Sequence, residues 1–208
     1  MRYLDTPVQA VNALREGLLI AHCTTSLPGF AADPFNEDAL DRLDTIKART
    51  AGQGYIAISG FAKHFTGWVA DCPLTEHLLW HAWDGPVTII GPAGNDAPRR
   101  VRGPGNTVAL RLDQHPAVRA LTAALDRPLV STSLNRAGQP ATTSLEAIDP
   151  SLEELLAGVF STGDPSLGVA STLVTVEQGA LRCLRDGEVS MTSIEEVAER
   201  FHTDRGRR

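Results

Sequence analysis

The chain has 208 residues, 42% of them hydrophobic and 21% charged, with a formal net charge of −6 at pH 7. That length suits one domain with a substantial core, and the composition excludes a disordered or fibrous chain. No apolar run approaches the roughly 20 residues of a membrane span, and the acidic balance argues against broad nucleic-acid binding while leaving room for a local cationic cavity.

Residues 1–7 lack a basic stretch followed by an apolar one, so no signal peptide is evident and a cytoplasmic location is expected. Asp5 and Thr6 offer a cap, Pro7 suits a first helical turn, Val8, Val11 and Leu14 give one apolar face, and Gly17 stops the helix. Residues 18–23 form a short, almost continuous apolar run that predicts a strand buried on both faces. Asn36 predicts a cap for a second helix over 37–47, with Leu40, Leu43 and Ile46 on one face and Asp38, Asp41 and Asp44 on another. Strands are predicted at 55–59, 86–90, 107–112 and 128–132, a helix at 115–125, and an antiparallel pair at 171–176 and 180–184 around Glu177, Gln178 and Gly179. Strands alternating with helices predict an α/β fold with a mixed sheet. Only residues 203–208 read as a disordered tail.

Two stretches carry chemistry. Lys47-Ala48-Arg49 places two cations at the end of the second helix, and Lys47 and Lys63 are the only lysines in an arginine-rich chain. Helix-end complementarity alone accounts for such a pair. Its place, where a helix gives way to a strand, is also where α/β proteins set their ligands. Ser131-Thr132-Ser133-Leu134-Asn135 brings hydroxyls and an amide to the end of a strand, a composition that also suits an ordinary turn. Together they suggest an anion site, with lysine as a point charge and arginine as a fork for phosphate or carboxylate oxygens.

Other features point elsewhere or nowhere. Cys23, Cys72 and Cys183 are odd in number, far apart and without C-x-x-C spacing, which fits buried thiols better than disulfides or zinc. His77 and His81 have the i, i+4 spacing of a metal helix but lack the glutamate of H-E-x-x-H. There is no Walker A sequence and no G-x-S-x-G elbow. Arg99, Arg100 and Arg102 precede the flexible turn Gly103-Pro104-Gly105 and read as a solvated loop, with closure over a polyphosphate or approach to RNA as the alternative. Lys63 reads as part of a solvated helix face.

The Lys-x-Arg segment and the stretch from Arg111 to Gly138, with its Ser-x-Asn, resemble the YrdC/TsaC family of L-threonylcarbamoyladenylate synthases. The likeness runs over roughly residues 5–190. Trp83-Asp84-Gly85-Pro86-Val87-Thr88 is similar to a Trp-Pro-Gly-Pro-x-Thr turn, Ala170-Ser171-Thr172-Leu173-Val174 to a Pro-Ser-Thr-Ile-Val strand, and Leu184-Arg185-Asp186-Gly187 to a closing Leu-Arg-x-Gly. There are departures. Leu134 stands where alanine is usual and Ala137 where serine is usual. The family's Pro-Thr-Glu/Asp-x-x-Tyr/Phe-Gly-Leu loop reads Cys23-Thr24-Thr25-Ser26-Leu27-Pro28-Gly29-Phe30, without the acid at Thr25 or the aromatic at Pro28.

The resemblance implies a YrdC-like domain over residues 1–190, a twisted mixed sheet flanked by helices around a central concave cavity, and a C-terminal helix or tail at 191–208. It implies a nucleotidyltransferase that makes threonylcarbamoyl-AMP and pyrophosphate from L-threonine, bicarbonate and ATP, with Mg²⁺ accompanying ATP and no dedicated metal ligands. Lys47 and Arg49 are the catalytic candidates; Lys47, Thr107, Ser133, Asn135 and Arg185 are expected on ATP; Thr24, Arg111, Ser131 and Ser171 are expected on threonine. The product would pass to a tRNA-modifying threonylcarbamoyl transferase complex for the N6-threonylcarbamoyladenosine modification, with a tRNA contact as a further implication and no membrane. The altered loop keeps two alternatives open: a degenerate paralogue that binds nucleotide or RNA without synthesis, and a related enzyme acting on another amino acid.

Overall fold

The computed structural model describes residues 2–50, 52–177 and 179–206. Helix α1 (Pro7–Arg15) begins in a capping box, in which the Gln9 N–H donates to the Thr6 hydroxyl and the Gln9 side chain accepts from the Thr6 N–H. Its buried stripe is Ala10, Val11, Ala13 and Leu14, so Val8, expected on that face, lies nearly opposite and is 62% exposed. Strand β1 (Ile20–His22) is shorter than the apolar run that announced it, and β2 (Gly29–Ala32), which the alternation did not reveal, pairs with it antiparallel.

Helix α2 (Glu37–Lys47) starts where expected, the Asn36 side chain accepting from the Ala39 N–H at 3.1 Å. Leu40 and Leu43 are fully buried, each contributing about 1.5–3 kcal/mol of hydrophobic stabilisation. Arg100 lies across the acidic face, paired with Glu37, Asp41 and Asp44 at 2.7–2.9 Å. Arg102 is committed to the carbonyl of Ala97 and the amide of Asn106. These two arginines brace the structure; of the three only Arg99 is exposed as expected, and it begins a short 3-10 turn (Arg99–Val101) rather than lying in a loop.

The remaining elements are β3 (Ile56–Ser59), α3 (Pro73–Trp80), β4 (Val87–Pro92), β5 (Thr107–Leu112), α4 (Pro116–Leu125), β6 (Leu129–Ser133), α5 (Pro150–Glu153), β7 (Gly158–Phe160), β8 (Thr172–Glu177), β9 (Ala180–Arg185) and α6 (Met191–Gly206). Among the described residues the strands form one nine-stranded mixed sheet, ordered β7-β1-β2-β6-β3-β5-β4-β8-β9. Side-chain alternation splits the core across it. Leu19, Ala21, Ala57 and Val130 pack on the side of α2, α3 and α6, while Ile20, Ile58 and Leu129 pack with α1 and α4. The β8–β9 pair forms as expected, although Gln178 of its turn lies outside the described residues.

Three expectations need adjustment. Lys63 sits in a short 3-10 turn (Ala62–Phe65) rather than on a long helix, and makes an exposed contact with Asp126 at 3.4 Å. Cys23 is buried, but Cys72 and Cys183 are only half-buried. The tail expected to be disordered continues α6 as far as Gly206, with the Thr203 hydroxyl donating to the Glu199 carbonyl one turn back; Arg207 and Arg208 lie outside the described residues.

Helix α2 ends in a left-handed cap built on a non-glycine residue. Ala48 has φ of +46°, and the Arg49 N–H reaches back to the Asp44 carbonyl at 3.0 Å. A side chain in this conformation costs about 1–2 kcal/mol, part of which glycine would return in chain entropy. Ala48→Gly is therefore expected to raise stability by about 0.5–1 kcal/mol, read as a higher urea midpoint at unchanged slope; a lower midpoint would refute the assignment of strain.

Candidate active site

A hollow of about 800 Å³ opens where the end of α2, the loop after β1, strands β5, β6 and β9, the first residue of the strand at Ile56–Ser59 and the residues just before β8 converge. Nine of the ten candidate residues line it: Thr24, Lys47, Arg49, Arg111, Ser131, Ser133, Asn135, Ser171 and Arg185. Thr107 does not. It lies in an adjoining hollow of about 180 Å³ with Tyr55 and Leu173, its hydroxyl donating to the Pro104 carbonyl at 2.9 Å, and Pro104 and Arg49 border both spaces.

Each polar group is held by local structure. Strand β6 presents Ser131 and Ser133 on one side, two residues apart. The Lys47 ammonium at the end of α2 donates to both the carbonyl and the side-chain oxygen of Asn135, each at 2.7 Å, and to the Ser133 hydroxyl at 3.3 Å. Ser133 in turn donates to the Asn135 side-chain oxygen at 2.6 Å. The helix end and the strand end thus form one polar unit. Burial, with Arg49 nearby, lowers the Lys47 pKa to about 8.

Arg49 is backed by an aromatic ring. Its guanidinium lies 4.7 Å from the centre of Tyr55 and donates to the Gly54 carbonyl. The Tyr55 hydroxyl donates to Asp44, which also pairs with Arg100, so a chain of contacts behind the cavity wall fixes this cation from below. Burial first, and then the Asp44 carboxylate, push the Tyr55 phenol up and keep it a neutral donor.

On the opposite wall, Arg185 donates to the Ser171 carbonyl at 2.9 Å and to its hydroxyl at 2.9 Å, and that hydroxyl also meets Thr88 at 2.9 Å. Burial and the proximity of Arg111 hold the Arg185 pKa below its usual value. Arg111 pairs with Asp113 at 2.9 Å and donates to the Ser26 hydroxyl at 3.0 Å. Behind Ser131 lies His22, fully buried, with Nε2 3.1 Å from the serine oxygen. Burial lowers its pKa to about 3, so it stays neutral and orients the hydroxyl without adding charge.

Some lining residues were not singled out in the sequence. Ser26 belongs to the loop that departs from the family pattern, where a hydroxyl two positions after Thr24 was the available signal. Gln53 lies just beyond Arg49. The lining contains four cations, Lys47, Arg49, Arg111 and Arg185, and no aspartate or glutamate. Such a surface, with hydroxyls and an amide between the charges, suits a ligand bearing several negative charges and leaves no protein cage for a divalent ion. Among the described residues no cluster of three or more histidine, cysteine or acidic side chains could hold a metal.

Gly187 closes the Leu-Arg-x-Gly segment in a tight contact. A methyl group there would collide with the backbone of Ala170, Ser171 and Thr172, the segment that presents Ser171 to the cavity. With Ser171 expected on threonine, Gly187→Ala should weaken threonine binding at least tenfold, measured by calorimetric titration; unchanged affinity would show that this backbone contact does not govern the site.

Comparison with known proteins places the chain among others. The family model Sua5/YciO/YrdC, described as "Telomere recombination", matches residues 12–187. A protein of Vibrio cholerae called threonylcarbamoyl-AMP synthase is 38% identical over 151 residues, which cover 71% of this chain and 80% of the relative. The structure of P. abyssi Sua5 complexed with L-threonine superposes with a TM-score of 0.82 at 25% identity, covering 95% of this chain; the chain spans 61% of that longer protein. E. coli YciO shares the fold, with a TM-score of 0.81 at 20% identity over 93% of this chain and 98% of its own.

Proposed function

Because this chain belongs to the Sua5/YciO/YrdC family, we propose that it is an L-threonylcarbamoyladenylate synthase. The observation that carries this reading is the four-cation cavity free of carboxylates, beside a run of hydroxyls, in a fold whose P. abyssi relative is seen with L-threonine. The amine of L-threonine and bicarbonate form a carbamate with loss of water. A carbamate oxygen then attacks the α-phosphorus of ATP, the bond to the β-phosphate oxygen breaks, and pyrophosphate leaves with its electron pair.

Negative charge grows on the departing pyrophosphate, so fixed cations near the triphosphate stabilise the transition state more than the ground state. Lys47 and Arg49 take this role. Ser133, Asn135 and Arg185 hold the nucleotide, and Thr107 reaches it from the adjoining hollow. Thr24, Arg111, Ser131 and Ser171 receive the amino acid, the arginine matching its carboxylate. Mg²⁺ would accompany ATP, most of its ligands coming from phosphate and water, and would supply charge neutralisation along the triphosphate beside Lys47 and Arg49. We place the enzyme in the cytoplasm, handing its product to a threonylcarbamoyl transferase complex that modifies tRNA; among the described residues no helix is long and apolar enough to cross a membrane.

Pyrophosphate release assayed with ATP, Mg²⁺, bicarbonate and each amino acid in turn tests the reading. Threonine-dependent release is expected. Release with a different amino acid would point to a related activity, and silence with retained ATP binding to a degenerate paralogue, the two alternatives that the altered residues 24–30 raise.

Lys47→Ala and Arg49→Ala should each lower turnover at least tenfold, about 1.4 kcal/mol of barrier, without unfolding the domain. Wild-type turnover in both would remove them from the mechanism. The lowered pKa of Lys47 adds a pH signature. Its charge is present below about pH 8 and lost above, while ATP restores the proton on binding, so ATP affinity should fall by up to about tenfold per pH unit above 8. The slope should vanish in Lys47→Met; a wild-type titration flat from pH 7 to 9.5 would contradict the assignment.

A further inference from the structure

Asp113 lines no part of the cavity, yet its carboxylate is where several cavity residues are tied together. The side chain is 0% exposed, so it can touch neither water nor substrate. It accepts the Thr25 N–H at 3.1 Å, the Thr25 hydroxyl at 2.7 Å and the His115 N–H at 3.1 Å, and pairs with Arg111 at 2.9 Å. Burial works against the charge of this group, but Arg111 and the hydrogen-bond donors outweigh it and hold the carboxyl below its ordinary range, ionised.

The two groups it fixes meet again above it. Arg111 reaches the Ser26 hydroxyl, Ser26 bonds through its backbone N–H and its hydroxyl to Thr24, and Thr24 donates to the Leu27 carbonyl at 2.8 Å. Thr24, Ser26 and Arg111 all face the cavity. The Arg111 Nε–H is buried and has no protein partner, so one donor of a clamped guanidinium remains uncommitted. In the sequence pattern that this chain resembles, the loop itself carries an acid at the place of Thr25. Here the loop carries a hydroxyl at that place, and the acid that meets it lies just past β5.

We propose that Asp113 is a positioning residue for the amino-acid end of the cavity: it holds Arg111 and the loop at residues 24–27 in register, performing from the end of β5 the task of the acid missing from that loop. The proposal rests on the synthase reading for the identity of the amino acid, and on geometry alone for the role of the carboxylate.

The test is a reciprocal exchange: Asp113→Thr, Thr25→Asp and the double variant, each assayed for pyrophosphate release with separate KM values for threonine and ATP, and for threonine binding by calorimetry. Asp113→Thr should raise the threonine KM at least tenfold while moving the ATP KM less than twofold. Thr25→Asp alone sets two carboxylates against each other and should do the same. The double variant restores one acid and one hydroxyl across the contact and should return to within about threefold of wild type, a rescue that general loss of packing cannot produce.

A double variant no better than the worse single, or losses shared equally between threonine and ATP, would overturn the proposal. If Asp113→Thr does not fold, the double variant decides: recovery supports the role and failure removes it. A wild type that binds threonine without releasing pyrophosphate defeats the synthase reading alone, and the exchange is then read by calorimetry. A wild type that binds no amino acid overturns both.

Discussion

Like charges gathered in one hollow are the constraint on which this structure depends. Two unit charges about 8 Å apart in an effective dielectric of about 20 repel by about 2 kcal/mol, and this cavity gathers four cations with no carboxylate in its lining. The pKa values of Lys47 and Arg185 are depressed mainly by burial, with a neighbouring arginine adding to it in each case. Cations arranged this way repel one another, and a polyanion bound among them would offset that repulsion. The fold therefore has to hold the cations in place by other means.

It does so from behind the wall. Lys47 is tethered by Asn135 and Ser133, Arg185 by the backbone of Ser171, Arg49 by the face of Tyr55, and Arg111 by a buried carboxylate. Among the described residues only Arg111 of these four has a direct acidic partner, and that pairing faces away from the cavity. The others are held by neutral dipoles, which fix position without cancelling charge. A salt bridge at Arg49 would have placed an anion in competition with the ligand; the acid in that network, Asp44, is set one residue back, behind the Tyr55 hydroxyl. Positioning without neutralisation is the condition for electrostatic catalysis of phosphoryl chemistry.

Local signals made much of this legible in the sequence. Asn36 as a cap, the Leu40, Leu43, Ile46 stripe and the strand at Thr107–Leu112 follow from spacing alone, because capping and periodicity act within a few residues. The convergence of Lys47 with Asn135 came from the resemblance, since nothing local links a helix end to a strand so far along the chain. Strand β2 escaped notice because Gly29, Phe30, Ala31 and Ala32 show no alternation: the strand is buried on both faces between β1 and β6, so neither face requires polar residues. Arg100 read as part of a solvated loop because its sequence neighbours are basic, and its actual partners on α2 are remote in sequence. Val8 shows the converse, an apolar residue counted into a stripe whose centre lies on the other side of the helix.

The altered loop illustrates why a missing motif residue does not equal a missing function. Read as a string, residues 23–30 have lost an acid and an aromatic. In three dimensions the Thr25 N–H and hydroxyl meet a carboxylate from elsewhere in the chain, and the Thr25 and Ser26 carbonyls are bonded by the N–H groups of Leu167 and Gly168. The Ser166 hydroxyl accepts the Thr24 N–H as well, so a second strap crosses the loop from the segment leading into β8. In the reading proposed above, this loop serves to keep two hydroxyls, Thr24 and Ser26, fixed beside Arg111. Hydrogen bonds from two distant segments meet that requirement as well as a residue within the loop would, because a buried donor is satisfied by any acceptor at the right place, whatever its position in the chain.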